Sequence, residues 1–438
     1  MKSFHTGAIY AAANIAAAAV PFALLPLLTR ILTPTDYGHI VAFSLLVTLC
    51  MPFAGLSVHS AVGVVWFNKP RDEISSFNAM ALTLIVLTTG LAAPVVALII
   101  GQMPSLVADL PAVWGAIAAL TAGANIVLQC RLVLWQSQGR AWNNAALQVA
   151  ASILNVGLSL TAVLILGWGA DGRNAGIALS SGIVALVAVG LFAASRDATW
   201  SFRPGFLLEQ VRYGMPLVPH VLAGVALGTI DRWMVSSQLG AHALGLYGAV
   251  AQLGMIMTIL ADAFVKAYNP WLYAKLASTD ANDKMKVVGV MYVALPAFLV
   301  LALAIGLFLR MTSGILLGPN YAGWVTHMLR WFLLGGAFTG LYYCTASIYF
   351  FSGRTGLLAS CTSCAALIGV VPVYFLVSTL GVQGGAIGFA VMQGLLALFA
   401  TVTAFKVFDL PWFEFRGAIA AVLRNFPLRI SFLQLPGR

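Results

Sequence analysis

The chain has 438 residues, of which 61% are apolar and only 8% are charged. A water-soluble protein of this length could not bury that much apolar surface, so the composition indicates an integral membrane protein. The net charge of +10 comes from basic residues scattered between apolar runs. They form no cluster with aromatic residues, which argues against a nucleic-acid-binding groove.

Apolar runs of about twenty residues recur along the chain, each long enough to cross a bilayer as a helix. We read the first as an uncleaved span, because it is too long for the apolar part of a signal peptide. The twelve predicted spans are 8–30, 38–66, 78–101, 112–136, 144–168, 175–194, 214–238, 245–272, 288–309, 325–350, 357–379 and 384–405.

The basic residues predict the orientation of these spans. With the N-terminus inside, the inner loops and ends carry sixteen lysines and arginines, whereas the outer turns carry only Arg30, Arg173 and Arg310. Such a bias places the more basic side in the cytoplasm. We therefore expect both termini to be cytoplasmic, in agreement with an even number of spans.

A faint internal repeat suggests two halves. Leu32-x5-Gly38 closes the first helical hairpin, and Leu239-x5-Gly245 closes the hairpin of spans seven and eight. We predict an N-terminal six-helix half (1–194), a cytoplasmic linker (195–212), a C-terminal six-helix half (213–405) and a cytoplasmic interfacial tail (406–438). Parallel repeats of this kind commonly place a substrate path at their interface, so we expect a central cavity.

Four charged residues lie inside the seventh and eighth spans: Asp231, Arg232, Asp262 and Lys266. A charge at the centre of a membrane helix costs roughly 2.5–3.5 kcal/mol, so these residues must pair or face water inside a bundle. Asp262 and Lys266 have the favourable i,i+4 spacing of a helical ion pair. A packing device made of ion pairs and the border of a hydrated cavity both remain open.

Polar side chains form narrow stripes on five of the predicted helices. The fifth span carries Asn144, Gln148, Ser152, Asn155 and Ser159 on one face, and the fourth carries Asn125, Gln129, Gln136 and Arg140. The first, second and tenth spans are also striped, whereas the third, sixth, eleventh and twelfth are comparatively plain. Such residues can bond neighbouring helices or line a water-filled path, and their uneven distribution favours a shared lumen.

Basic residues within the spans outnumber acidic ones. The basic residues within the spans are Arg131, Arg232, Lys266 and Arg330, whereas the acidic ones are Asp231 and Asp262. This balance favours an anionic passenger such as a diphosphate. Arg131 and Arg330 lie near the ends of their spans, where snorkelling towards the interface is the alternative explanation.

Motifs of catalysis are missing from the sequence. There is no GxxxxGK[ST] phosphate-binding loop, no HExxH metal site and no large outer loop. The CxxC pair Cys361 and Cys364 lacks a His or a second pair, so we interpret it as structural. We expect no catalytic residue, metal or cofactor, and we do not expect an enzyme. A membrane-embedded polymerase or acyltransferase would need a catalytic outer loop, and a structural scaffold would not explain the charges inside the spans.

Three stretches resemble the oligosaccharide flippase type of polysaccharide-biosynthesis protein, within the multidrug/oligosaccharidyl-lipid/polysaccharide exporter superfamily. The first is a Leu-x-Pro-x-acid-aromatic-Gly turn within Leu25–Phe43. The second, within Tyr213–Leu253, has a Gly-x-Pro-x-x-Pro entry, an Ile-Asp-Arg step and a Gly-x-Tyr turn. The third is a Leu-Gly-x-x-Tyr turn. The matching residues are Leu32, Pro34, Asp36, Tyr37, Gly38, Gly214, Pro216, Pro219, Ile230, Asp231, Arg232, Gly245, Tyr247, Leu317, Gly318 and Tyr321.

The resemblance implies a flippase of a bacterial inner membrane that moves an undecaprenyl-diphosphate-linked oligosaccharide by alternating access. A polymerase and chain-length proteins are implied as partners, and a proton or sodium ion as the coupling ion. We expect Arg232 and Lys266 to meet the anionic head, Asn144, Gln148, Asn155 and Gln129 to meet the substrate, and Asp231 or Asp262 to sense the ion. A drug antiporter of the same superfamily is the alternative, and a peptidoglycan-precursor flippase the next.

Overall fold

The computed structural model describes residues 22–200 and 203–418. Across these ranges the chain folds into helices without a β-strand, as predicted for an all-α polytopic protein. The helices are α1 (Phe22–Ile31), α2 (Pro34–Cys50), α3 (Val58–Asn68), α4 (Arg71–Gln102), α5 (Ala112–Ser137), α6 (Ala141–Leu160), α7 (Gly169–Ala194), α8 (Pro204–Gly214), α9 (Val218–Ala277), α10 (Ala281–Leu316), α11 (Pro319–Phe351) and α12 (Thr355–Val407). Short 3₁₀ segments follow α4 and α8, and a π-helical turn, Thr161–Ile165, continues α6.

Seven helical stretches in the described ranges are long and apolar enough to cross a membrane. Two of them change direction at a glycine with non-helical dihedral angles, Gly240 in α9 and Gly381 in α12. Both glycines fall where the sequence predicts a turn between two spans. The first predicted span lies mostly outside the described residues.

The second predicted span, 38–66, is not one helix. The backbone leaves α2 after Cys50 and re-enters a helix only at Val58. Gly55, Leu56 and Ser57 between them have φ angles of 77°, 50° and 59°, in the left-handed region. Irregular backbone at membrane depth is tolerated where protein covers it, and here the Gly55 amide donates to Thr88 Oγ1 at 2.8 Å. An apolar run shows no sign of such a break, because hydropathy does not register dihedral angles.

The helices group into two compact units. One comprises Met311–Met328, Pro372–Gly388 and the described part of Met1–Leu253; the other comprises Gly254–Arg310, Leu329–Val371 and the described part of Phe389–Arg438. The division of the chain into halves at a linker stays a prediction.

In the first unit, three turns meet through close backbone contacts. We call this the turn cluster; it comprises residues 29–38, 240–245 and 314–321. A Cβ atom on Gly38 would lie 1.9 Å from the carbonyl oxygen of Ala241, and one on Gly245 would lie 1.7 Å from that of Pro34. The two glycines of the repeated Leu-x5-Gly pattern therefore each pack against the turn that contains the other.

The third turn of the cluster is joined by hydrogen bonds as well. The Gly318 amide donates to Thr29 Oγ1 at 2.9 Å, and the Tyr321 hydroxyl donates to the Leu32 carbonyl at 3.1 Å. The Arg30 guanidinium also donates to carbonyl oxygens at the C-terminal end of α10. The cluster thereby satisfies helix-end groups that would otherwise lack partners.

The same contacts explain the residues of the first motif. Thr33 caps α2 in a reciprocal capping box with Asp36, and Pro34 occupies the first turn, where its missing N–H costs nothing. The Tyr37 hydroxyl donates to Gln252 Oε1 at 2.8 Å. Each position of the motif thus has a structural role at the start of α2.

The segment after α7 is tied to the first unit by a buried ion pair. Arg131 on α5 is 1% exposed, and its Nη1 lies 2.6 Å from Asp197 Oδ2. Its guanidinium also donates to Ser195 Oγ at 3.2 Å and lies over the rings of Trp135 and Phe192. Arg131 therefore does not snorkel towards the interface; it is a buried anchor for the start of the predicted linker.

Helix α8, in the second part of that linker, also packs on the first unit. The buried Gln210 donates to the Phe77 carbonyl at 2.8 Å, and the Phe206 ring contacts the Phe77 ring edge to face. Lys69 pairs with Glu209 at 3.0 Å. The described parts of the linker are therefore docked rather than free.

In the second unit, helices approach closely at glycines. A Cβ atom on Gly336 would lie 2.7 Å from Met257 Cγ, and one on Gly340 would lie 2.7 Å from Phe298 Cε2. Such small residues let membrane helices pack tightly.

The chain after α12 folds back onto the second unit. Trp412 is 3% exposed and its carbonyl accepts a hydrogen bond from Tyr292, whose ring stacks on Phe415. Phe413 points away and is 87% exposed. Placement of the tail in the headgroup layer stays a prediction, and residues 419–438 lie outside the described part.

We expect Gly245→Ala to lower the melting temperature of the detergent-solubilised protein, since the added methyl group would collide with the Pro34 carbonyl. Overpacking of this kind typically costs about 1–3 kcal/mol. Gly228→Ala is the matched control, because no heavy atom lies within 4 Å of a Cβ atom there. Thermal unfolding followed by circular dichroism measures both; equal melting temperatures would contradict the close contact.

We expect Asp197→Asn to destabilise the protein strongly, because it leaves the Arg131 charge buried without a counter-charge. Removing one partner of a buried pair costs about 3–5 kcal/mol. Glu209→Gln removes the partly exposed pair with Lys69 and should cost less than about 1 kcal/mol. The same melting experiment compares the two variants, and a larger effect of Glu209→Gln would refute the assignment of the anchor.

Candidate functional site

Helices α6 and α7 approach each other unusually closely. A Cβ atom on Gly172 would lie 2.9 Å from the Ala162 carbonyl oxygen, and one on Gly176 would lie 2.4 Å from Ser159 Oγ. The two glycines are spaced i,i+4 and so lie on one face of α7. The next residue after Gly172, Arg173, reaches α6 through its side chain.

Arg173 is a buried cation held by amide and hydroxyl groups. Its side chain is 8% exposed. Nη1 donates to Asn155 Oδ1 at 2.7 Å and to Ser159 Oγ at 2.5 Å. Asn155 in turn donates to Ser180 Oγ at 3.1 Å. Within residues 22–200 and 203–418, no carboxylate lies within 4.0 Å of the guanidinium.

These residues line a cavity of about 300 Å³ between α5, α6 and α7, which we call the α5–α7 cavity. One part of its wall is polar and the other is apolar. The lining residues are Asn125, Leu128, Ala151, Ser152, Asn155, Arg173, Ile177, Ser180, Ser181 and Val184. An anionic group in this cavity would meet one guanidinium surrounded by neutral hydrogen-bonding side chains.

The structure divides the predicted substrate residues of α5 and α6. Asn155 lines the cavity. Asn144 is buried and donates to the Leu132 carbonyl at 2.8 Å, while its Oδ1 accepts from Gln148 at 2.6 Å. Asn144 and Gln148 therefore join α6 to the end of α5, and neither they nor Gln129 lines the α5–α7 cavity.

Asp231 and Arg232 lie in the first unit and do not pair with each other. Asp231 is 1% exposed, and its Oδ2 accepts a hydrogen bond from the buried Tyr247. Its Oδ1 is buried without a hydrogen-bond partner among the described residues. Arg232 is partly buried and donates to the Gly228 carbonyl of its own helix at 2.7 Å.

Asp262 and Lys266 lie in the second unit and form the ion pair that their spacing suggests. Lys266 Nζ is 2.6 Å from Asp262 Oδ2, and the two side chains are 64% and 49% exposed. The pair is thus accessible, whereas Asp231 is enclosed. The two acidic residues, which both lie inside predicted spans, therefore differ in exposure.

Sequence reasoning missed Arg173. The sequence predicts a plain sixth span that begins at 175, with Arg173 in the outer turn before it, whereas α7 begins at Gly169. Arg173, Ile177, Ser180 and Val184 follow one another at helical spacing on the wall of the cavity. The helical spacing of these four residues is visible in the sequence. A search for apolar runs does not find it, because the first turn of α7 is polar.

The fold is that of multidrug and lipid-precursor transporters. A multidrug resistance MATE family transporter of the MOP superfamily, in its inward-facing conformation, is similar with a TM-score of 0.72 and 15% identity, over 93% of this chain and 96% of that one. The lipid II flippase MurJ, in an inward closed conformation, is similar with a TM-score of 0.69 and 11% identity, over 94% and 90%. At such identities the likeness shows the fold.

Sequence comparison gives the family. Lsg locus protein 1 of Haemophilus influenzae is 24% identical over 388 residues, which cover 86% of this chain and 92% of that protein. The family model described as polysaccharide biosynthesis protein matches residues 5–274, more than half of the chain. This multi-pass membrane protein therefore belongs to the polysaccharide biosynthesis protein family.

Proposed function

We propose that the protein is a flippase. It moves an undecaprenyl-diphosphate-linked oligosaccharide repeat unit from the inner to the outer leaflet of a bacterial inner membrane, for surface polysaccharide synthesis. The lipid tail stays in the bilayer while the sugars and the diphosphate pass through the protein, by alternating access coupled to a proton or sodium gradient. Both termini are cytoplasmic in this proposal, and a polymerase and chain-length proteins act after the step.

The α5–α7 cavity is the observation that carries the proposal. A buried guanidinium with neutral amide and hydroxyl neighbours suits a polar passenger that carries an anionic group, such as a lipid-linked oligosaccharide. Membership of the polysaccharide biosynthesis family is in keeping with such a passenger.

The same cavity disfavours the drug antiporter. A cationic drug would be repelled by Arg173, the one charged lining residue, and the lining contains no carboxylate to offset that repulsion. An antiporter of cations would have to bind its passenger elsewhere in the protein.

Roles for the other charged residues follow from their surroundings. Arg232 and Lys266 meet the anionic head in our proposal, with Lys266 released from Asp262 when the diphosphate arrives. Asp231 is the stronger candidate for the coupling ion, because one of its carboxylate oxygens lacks a partner within the described chain. Asp262 already has a cation at 2.6 Å.

Deleting the gene should abolish the surface polysaccharide and cause the lipid-linked repeat unit to accumulate. We expect wild-type protein to restore the polysaccharide, and Arg232→Ala and Lys266→Ala to restore at least tenfold less at equal expression. A hydrogen bond to a charged group contributes about 1.5–3 kcal/mol, and tenfold corresponds to about 1.4 kcal/mol. Arg354→Ala, a change at the exposed start of α12, is the matched control.

Gel staining and sugar analysis of surface material measure the outcome. If both variants restore polysaccharide to the wild-type level, the proposed roles of Arg232 and Lys266 are wrong. If deletion changes neither surface polysaccharide nor lipid-linked intermediates, the flippase proposal itself fails.

A cysteine at Ser152 should react with a membrane-impermeant thiol reagent, because Ser152 lines the cavity. The adjacent Ile153 is 66% exposed and does not line the cavity. A cysteine at this position should face lipid and stay unreactive. The five native cysteines are first replaced, since Cys364 is exposed. Mass spectrometry counts the added labels, and equal labelling at the two positions would argue against a hydrated cavity.

A further inference from the structure

The lining of the α5–α7 cavity indicates what kind of ligand it would bind. Arg173 is its one charged lining residue, and the guanidinium keeps its charge under all physiological conditions. A buried cation without a carboxylate partner is costly, and a bound anion would remove that cost. The site is therefore incomplete without a negatively charged ligand.

The charge of the ligand follows from the lining. A diphosphate carries more than one negative charge and would call for a second cation, yet every other lining residue is neutral. A single guanidinium balances a single negative charge, and its planar fork can donate two parallel hydrogen bonds to one oxyanion. Arg173 already uses Nη1 for Asn155 and Ser159, while Nη2 and Nε have no acceptor among the described residues.

The remaining polar wall suits hydroxyl groups. Ser152 donates to the Gln148 carbonyl and Ser180 to the Ile177 carbonyl, so that their oxygens are left to accept hydrogen bonds from sugar hydroxyls. The amides and hydroxyls of the wall come from all three helices: Asn125, Ser152, Asn155, Ser180 and Ser181. An aliphatic passenger would leave these groups unused, and a cationic one would be repelled by Arg173.

The apolar wall suits the C–H face of a ring. Leu128, Ala151 and Val184 line the cavity and also belong to a compact apolar cluster with Trp135 and Leu147. An apolar surface beside polar groups in one cavity matches a sugar ring, which has a hydrophobic face and polar hydroxyls. The volume of about 300 Å³ is at the lower end of ligand pockets, enough for one sugar ring rather than a whole repeat unit.

We infer that the α5–α7 cavity binds an acidic sugar of the repeat unit: one ring that carries one singly charged oxyanion, either a carboxylate or a phosphodiester. The ring lies against the apolar wall, its hydroxyls meet the amides and hydroxyls, and the oxyanion meets Arg173. The inference rests on the proposed function, and it adds that the transported glycan is itself acidic, apart from its diphosphate.

The lipid-linked intermediate that accumulates in a deletion strain tests this inference separately from the flippase proposal. We expect mass spectrometry of the sugar part released from the diphosphate to show a singly charged acidic residue. Loss of that charge in hydrofluoric acid, which cleaves phosphodiesters, would identify a phosphodiester, and its survival a carboxylate. Accumulation of a wholly neutral repeat unit would overturn the inference while the flippase proposal stands. A deletion that changes neither surface polysaccharide nor lipid-linked intermediates would contradict the flippase proposal instead.

Binding to the purified protein in nanodiscs gives a second test. We expect sodium glucuronate to bind at least tenfold more tightly than glucose, a difference of about 1.4 kcal/mol. Glucose 6-(methyl phosphate), a singly charged phosphodiester, serves as the second probe if the intermediate contains a phosphodiester. Arg173→Gln should abolish the preference, Arg173→Lys should keep part of it, and Arg140→Gln, at an exposed arginine outside the cavity, should keep all of it.

The wild-type comparison decides the matter even if Arg173→Gln does not fold, which its melting temperature would reveal. Equal binding of the acidic and neutral sugars to wild-type protein would overturn the inference. So would a preference that persists unchanged in a folded Arg173→Gln variant.

Discussion

The first unit depends on the contact between α6 and α7, and above all on the hydrogen bonds from Arg173 to Asn155 and Ser159. The neighbouring oxygens accept hydrogen bonds from this buried guanidinium and so lower, without removing, the cost of burying its charge. Gly172 and Gly176 make the contact short enough for that geometry. The α5–α7 cavity lies beside this contact, with Arg173 and Asn155 in its lining.

Much of the fold follows from hydropathy. The long apolar helices and the turns at Gly240 and Gly381 lie where the sequence predicts them. The break at Gly55–Ser57 could not be predicted, because its left-handed backbone is stabilised by a hydrogen bond to Thr88 from another helix. Local sequence encodes the length of a span more clearly than its continuity.

The site was predictable only in part. Asn155 and Ser152 belong to a polar stripe, and both line the cavity. Arg173 escaped notice because it stands near the polar beginning of α7, where a basic residue is ordinarily taken as part of a loop. Asn144 belongs to the same stripe as Asn155 but bonds the Leu132 carbonyl, and helical periodicity cannot distinguish a lining residue from one that joins helices.

Two contacts of the turn cluster, at Gly38 and Gly245, join glycines to backbone carbonyls rather than to charged side chains. Gly38 and Gly245 contact main-chain oxygens, which every residue type supplies. Their association is consequently insensitive to ionic strength and indifferent to the chemistry of the passenger. Related proteins could diversify the cavity to suit new glycans while inheriting these turns unaltered, so that specificity and mechanical framework evolve as separate properties.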